Sequence, residues 1–183
     1  LHSCGSSTTT TPAKEPEKKA EAEKPVPVTG RTAFFKMYPS ARQWAADAKG
    51  IQLSSVQMKE VPAEPGKAAM WQATFVSETK AKTKSFVWSA VESLPSIREG
   101  VWATGREEAF IGGRVGQALP FFVQGIKSDT DEAYKTAISK EDKFLKTNPT
   151  DSVNFLLEYT QRTNVLAWRV LWGETAGTAT YSV

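Results

Sequence analysis

From residue 31 onward the apolar positions fall into two successive blocks, each opening with helical spacing and continuing with strand spacing. In the first, Ala33, Phe34, Met37, Tyr38, Ala41, Trp44, Ala45 and Ala48 recur every three or four residues, the stripe of an amphipathic helix. Pro39 interrupts the stripe and predicts either a kink or a helix whose first turn begins there, because proline cannot donate to the preceding turn. Strand-like runs follow at 51–61, at 68–78 after the Pro65-Gly66 turn, at 85–92 after a lysine-rich turn, and at 97–104.

The second block starts at Ser128-Asp129-Thr130-Asp131-Glu132, where Asp129 as N-cap with Glu132 three residues on has the form of a capping box. Ala133, Tyr134, Ala137, Ile138, Phe144 and Leu145 supply the apolar positions of the helix, and Asn148-Pro149 ends it. Strands are predicted at 153–161, 165–174 and 178–183. Trp71 in Met70-Trp71-Gln72-Ala73-Thr74-Phe75 corresponds to Trp168 in Ala167-Trp168-Arg169-Val170-Leu171-Trp172, and Phe86-Val87-Trp88 continues the match against Thr180-Tyr181-Ser182. Alternation in both copies points to a half-buried antiparallel sheet with a helix across one face. The predicted fold is therefore α+β: two tandem repeats, at 31–110 and 128–183, each one helix packed on an antiparallel β-meander, joined by a linker at 111–127.

Composition supports a core of this kind. The 183 residues are 40% hydrophobic and include six Trp and nine Phe, enough for one domain. No apolar run approaches the ~20 residues that cross a bilayer. The formal net charge of +3 is too small, and the basic residues too scattered, to imply a nucleic-acid partner.

Residues 1–30 read differently. Leu1-His2-Ser3-Cys4, followed by Gly5-Ser6-Ser7, resembles a bacterial lipobox with Cys4 as the lipid attachment site, so the chain reads as beginning late in its own signal. A chance cysteine in a polar tail is the other reading. Residues 5–30 lack large apolar side chains until near their end, and their lysines and glutamates cancel; they are expected to form an unfolded tether of about 30 Å root-mean-square span. A short Glu/Lys helix around 13–24 is the alternative. Processing before Cys4 would remove His2, the only histidine, and convert the only thiol to a thioether. That excludes Ser-His-Asp and Cys-His catalysis and His/Cys metal sites. No cofactor and no metal are expected.

Other constellations reduce to structure. Gly112-Gly113-Arg114-Val115-Gly116-Gln117 lacks the Lys-Ser/Thr pair of a phosphate loop. Asp129-Thr130-Asp131 begins like a calcium loop, but Tyr134 and Lys140 stand where that loop requires Gly and Glu. Glu107-Glu108 and Glu141-Asp142 are neighbours in sequence and do not face each other. Lys80, Lys82 and Lys84 beside Phe86 and Trp88 are read as a charged hairpin that discourages edge pairing. Trp44, Trp71, Trp88, Trp168 and Trp172 fall at inward positions. Trp102, with Phe110, Phe121 and Phe122, either seals the two repeats together or forms a candidate binding surface.

The helix-then-strands order, with Ala167-Trp168-Arg169-Val170-Leu171-Trp172-Gly173 leading through a turn to Tyr181-Ser182-Val183, resembles the PepSY domain and its PepSY-like, cystatin-like relatives. Departing from that pattern, the chain stops where an Asp-Ala-x-x-Gly turn would begin, so the second copy is either clipped or divergent. The resemblance implies a non-catalytic module of the bacterial cell envelope, membrane-bound through its lipid anchor on the extracytoplasmic side, that binds an envelope protein or peptide and restrains peptidases. A carrier of a small apolar ligand in a helix–sheet cavity is a second expectation. An enzyme using only carboxylates or a serine–lysine pair is a third, for which no spacing stands out.

Overall fold

A computed structural model of the protein describes residues 1, 24–62, 64–93, 95–147, 153–172 and 179–182. Helix α1 (Gly30–Trp44) is followed by strands β1 (Lys49–Val56), β2 (Met70–Ser77), β3 (Lys82–Ser89) and β4 (Gly100–Ala109). A 3-10 turn at Val123–Gly125 leads to helix α2 (Thr130–Thr147) and strands β5 (Val153–Thr160), β6 (Val165–Trp172) and β7 (Ala179–Ser182). The fold is α+β. All seven strands join one sheet in the order β4-β3-β2-β1-β5-β6-β7, antiparallel throughout.

Helix α1 forms because Ala33, Phe34, Met37 and Ala41 bury one stripe completely. It runs through Pro39 without ending. Pro39 and Phe35 both lie on the exposed side, so the carbonyl that loses its amide partner is left to water. Phe34 stacks within 5.1 Å of Phe75, 5.8 Å of Phe121 and 6.0 Å of Tyr38, while Trp71 lies 6.2 Å from both Phe155 and Trp168. Ala133 and Ala137 of α2 bury against the same cluster. Both helices thus pack on one face of the sheet.

The two helix starts meet. Thr130 Oγ1 accepts from the Gly30 amide at 2.9 Å and donates to the Gly66 carbonyl at 2.5 Å. Asp129 Oδ1 accepts from the amides of Thr130 at 2.7 Å and of Arg31 at 2.9 Å. Asp129 is the cap the sequence predicts, but the reciprocal box with Glu132 is replaced by a carboxylate shared between two helices. One negative charge there offsets the positive ends of two macrodipoles. Gly66 holds φ at +72°, and a Cβ on it would strike the Asp131 backbone, which only glycine avoids.

The segment 111–127 is more than a linker. Strands β1 and β5 pair only from Gln52↔Glu158 to Ser54↔Leu156 and then diverge. Phe121 fills the gap by exchanging hydrogen bonds with Gly50 at 2.7 and 3.0 Å, and the Leu119 amide donates to the Tyr159 carbonyl at 2.6 Å. A side chain at Gly50 would collide with the rings of Phe121 and Phe34.

Two further expectations are corrected. β4 spans Gly100–Ala109 rather than 97–104, because it pairs with β3 as far as Lys82↔Ala109 across an irregularity, and its charged stretch Arg106-Glu107-Glu108 carries no hydrophobic signal. Consequently β3 is interior, and the lysines guard no edge. Instead Lys82 and Lys84 lie 3.1 and 3.9 Å from Glu107 on β4.

Candidate functional site

The face of the sheet away from the helices is built by strict alternation. Ala73, Phe86, Trp88, Leu53, Leu157, Trp168 and Val170 point into the helix-side core, so their strand neighbours point the other way. Register then lines up Trp102, Val87, Gln72, Ser54, Leu156 and Arg169 in one row across six strands. Beside it runs a second row of Thr104, Ser85, Thr74, Gln52, Glu158 and Ala167. Apart from buried Val87, these residues are half-buried, and among the described residues no helix covers them.

This face mixes charged, hydroxyl, amide and apolar side chains. Arg169 and Glu158 form an ion pair at 2.9 Å at one end. The hydroxyls of Thr74 and Ser85 bond each other at 2.9 Å near the middle. Trp102 and Leu156 supply apolar area. Neither hydroxyl has a basic partner among its hydrogen bonds, and the guanidinium neutralises Glu158, so no nucleophile–base pair arises there.

The perturbed carboxylates lie elsewhere and serve the fold. Asp47 accepts from the buried Ser77 hydroxyl at 2.7 Å and the Thr79 amide at 2.9 Å, and these bonds, Ser77 first, hold its carboxyl far below the usual range. Glu107 accepts from the Trp44 indole at 2.7 Å and from Lys82 at 3.1 Å, which lowers it likewise. Trp44 is consequently half-buried at the surface of the core, with Lys80 5.3 Å above its ring, whereas Trp71, Trp88, Trp168 and Trp172 are buried as expected.

The four aromatic residues singled out in the sequence do not form one patch. Trp102 stands on the helix-free face of edge strand β4. Phe121 is buried in the core on the opposite face, 4% exposed, because its backbone is the wedge between β1 and β5; it is corrected from surface to core. Phe122, next to it, is 63% exposed with Lys49 5.1 Å from its ring. Phe110 is half-buried beyond the end of β4, its amide donating to the Ala81 carbonyl at 2.9 Å. Cys4 lies outside the described residues. Gln72, Leu156 and Arg169 were not identified from sequence. Strand alternation marked their parity, but only the strand order shows that they share a row with Trp102.

Several concave places border the fold. A cleft of about 400 Å³ lies under the β1–β2 connection, lined by Met58, Pro62, Pro65, Tyr134 and Phe155 among others. An apolar shelf of about 570 Å³ lies between Phe122, Pro120, Tyr159 and Leu166. The space between helices and sheet is filled by Phe34, Met37, Trp71, Phe75 and Trp168, all fully buried. Among the described residues no group of three or more His, Cys, Asp or Glu is placed to hold a metal ion, and no helix is long and apolar enough to cross a membrane. No family model, curated protein or solved structure matches this chain.

Proposed function

We propose that this chain is a non-catalytic, lipid-anchored protein of the bacterial envelope that binds a protein or peptide across the helix-free face of its sheet. The observation that carries the reading is the row from Trp102 to Arg169: a surface, half-buried apart from Val87, of one aromatic, two aliphatic and three hydrogen-bonding side chains with no helix over it among the described residues. Such a mixture resembles interface composition, where aromatic and arginine anchors sit among neutral polar groups. Restraint of an envelope peptidase is the specific activity proposed.

The tandem-repeat, PepSY-like reading belongs with it. Each half runs helix then antiparallel meander, outward from a central β1–β5 pair. In each half a tryptophan indole donates to the carbonyl two residues ahead of the helix start, Trp71 to Val28 and Trp168 to Ser128. The same bond at the same place in both halves supports a duplicated unit.

Photo-crosslinking tests the surface. A crosslinking residue at Gln72 or Trp102 in the full chain, expressed in cells, should give a discrete adduct, and one at exposed Gln43 on α1 should not. Adducts formed equally from Gln43, or none from the sheet face, reject the assignment. For the peptidase reading, purified envelope peptidases should lose activity on titration with the parent and keep it with Trp102→Ala/Leu156→Ala.

A further inference from the structure

One end of the sheet collects most of the exposed apolar side chains. The turn between β2 and β3, the end of β4, the start of β1 and the β5–β6 turn all lie there, as the registers Lys49↔Val76, Lys82↔Ala109 and Thr160↔Val165 require. Of the large apolar residues left exposed among the described residues from 24 onward, Ile111, Val115, Phe122 and Val165 belong to this end, at 58, 100, 63 and 56% exposure; Val26 and Phe35 do not. Exposed apolar residues scattered singly are ordinary. Their concentration at one pole is not.

The loop geometry presents them outward. Gly113 and Gly116 hold φ at +82° and +78° on either side of Arg114-Val115, and the Gln117 amide closes the turn on the Arg114 carbonyl at 3.1 Å. Val115 thus sits at a tip. It shares a cleft of about 530 Å³ with Arg162 of the β5–β6 turn. Phe122 and Leu166 line the neighbouring shelf, and Val165 lies beside Leu166.

Charge at this pole leans positive once ion pairs are set aside. Glu78 is paired with Lys49 and Glu107 with Lys82, whereas Asp47 is hydrogen-bonded to the neutral Ser77 hydroxyl and Thr79 amide and keeps its charge. Arg106, Arg114 and Arg162 have no ion pair among the described residues, against Asp47 and Glu108 as the carboxylates without one there.

We propose that this pole docks on an anionic lipid surface, with Val115, Phe122 and Val165 entering the headgroup boundary and Arg114 and Arg162 meeting the phosphates. Apolar side chains carried by the connection after β4 and by the start of β6, with unpaired guanidinium groups beside them, suit a fluid interface that closes around each. The occupant of the helix-free face is a separate matter, and the proposal does not depend on it.

The test is sedimentation of the full chain carrying Cys4→Ser, which removes any acyl anchor, with vesicles of pure phosphatidylcholine or doped with phosphatidylglycerol. The protein should sediment with the doped vesicles and be released by salt. Arg114→Gln with Arg162→Gln should weaken binding about 25-fold, about fivefold for each cation. Val115→Ser with Phe122→Ser should weaken it about tenfold or more. Melting midpoints should stay unchanged in all of these, and Trp102→Ser should bind vesicles like the parent. Absence of phosphatidylglycerol-dependent sedimentation, or variants that bind undiminished, overturns the proposal. So does self-association abolished by Phe122→Ser without vesicle binding, which would give this pole to a second copy of the chain.

Discussion

Trp71 and Trp168 meet edge-on, ring centroids 6.2 Å apart and planes at 72°, while their indole N–H groups reach in two directions to the chain just ahead of α1 and of α2, at 3.1 and 3.0 Å. Each ring therefore packs the core and holds a helix start at once. The contact also spans the two halves of the sheet, since Trp71 lies on β2 and Trp168 on β6.

Replacing either ring should be costly. Trp71→Ala and Trp168→Ala are each expected to lower stability by about 3–5 kcal/mol, the range for a large buried aromatic. Because the rings touch, the double variant should depart from the sum of the singles by about 0.5–3 kcal/mol. Trp102→Ala, on the helix-free face, should cost about 1 kcal/mol or less. Urea midpoints ranking Trp102 above the other two would contradict this placement.

The hydroxyl of Thr130 is a second point of leverage. It is fully buried and satisfies the Gly30 amide and the Gly66 carbonyl together. Thr130→Val keeps the shape and strands both partners, at an expected cost of about 3 kcal/mol. Thr130→Ser should retain most of that. Equal losses in the two variants would mean that packing, and not hydrogen bonding, is what Thr130 contributes.

Acid should act through Asp47 and Glu107. Both carboxyls are held below their ordinary values in the fold. Such a group stabilises fully above its unfolded-state pKa, 3.8 for Asp47, and that contribution fades as pH falls below it toward the folded value. Denaturation midpoints should drop on acidification through this window. Asp47→Asn should be less stable near neutrality and show a shallower drop. An unchanged acid slope would remove Asp47 as a cause.

Membrane attachment has its own control. The precursor should partition with membranes, and Cys4→Ser should release it from firm attachment, since acyl chains contribute about 0.8 kcal/mol per buried methylene. Cell fractionation in high salt, which suppresses any electrostatic docking, reads this out. Retention of the serine variant under that wash would end the lipobox reading.

Much of this is legible in the sequence. The start of α2, the stripe of α1 and four of the five inward tryptophans, all but Trp44, followed from spacing, because each depends on residues close in sequence. The single sheet did not. Periodicity tells which side of a strand is buried, not which strand lies beside it, and the β1–β5 pairing joins Leu53 to Leu157. Phe121 and Phe122 illustrate the same gap. They read as one aromatic patch with Trp102, yet parity between residues on separate elements is fixed only once the wedge at Gly50 is known. The second half of β4 escaped because Arg106-Glu107-Glu108 looks like a loop until Lys82 and Lys84 are seen opposite.

The pairing of Val28 with Ala68 gives the fold a mechanical character. A pull transmitted through the N-terminal segment reaches the domain at Val28, where two backbone hydrogen bonds, both 3.0 Å, and the Trp71 indole fasten the chain. Tension is thus met by a clasp on the loop leading into β2, next to the aromatic core, while the edge strands β4 and β7 stay out of the load path. A domain tugged at this point should resist stretching better than one held by an outer strand, a difference that single-molecule extension from the N-terminus, compared with extension across β4, would read as a higher rupture force.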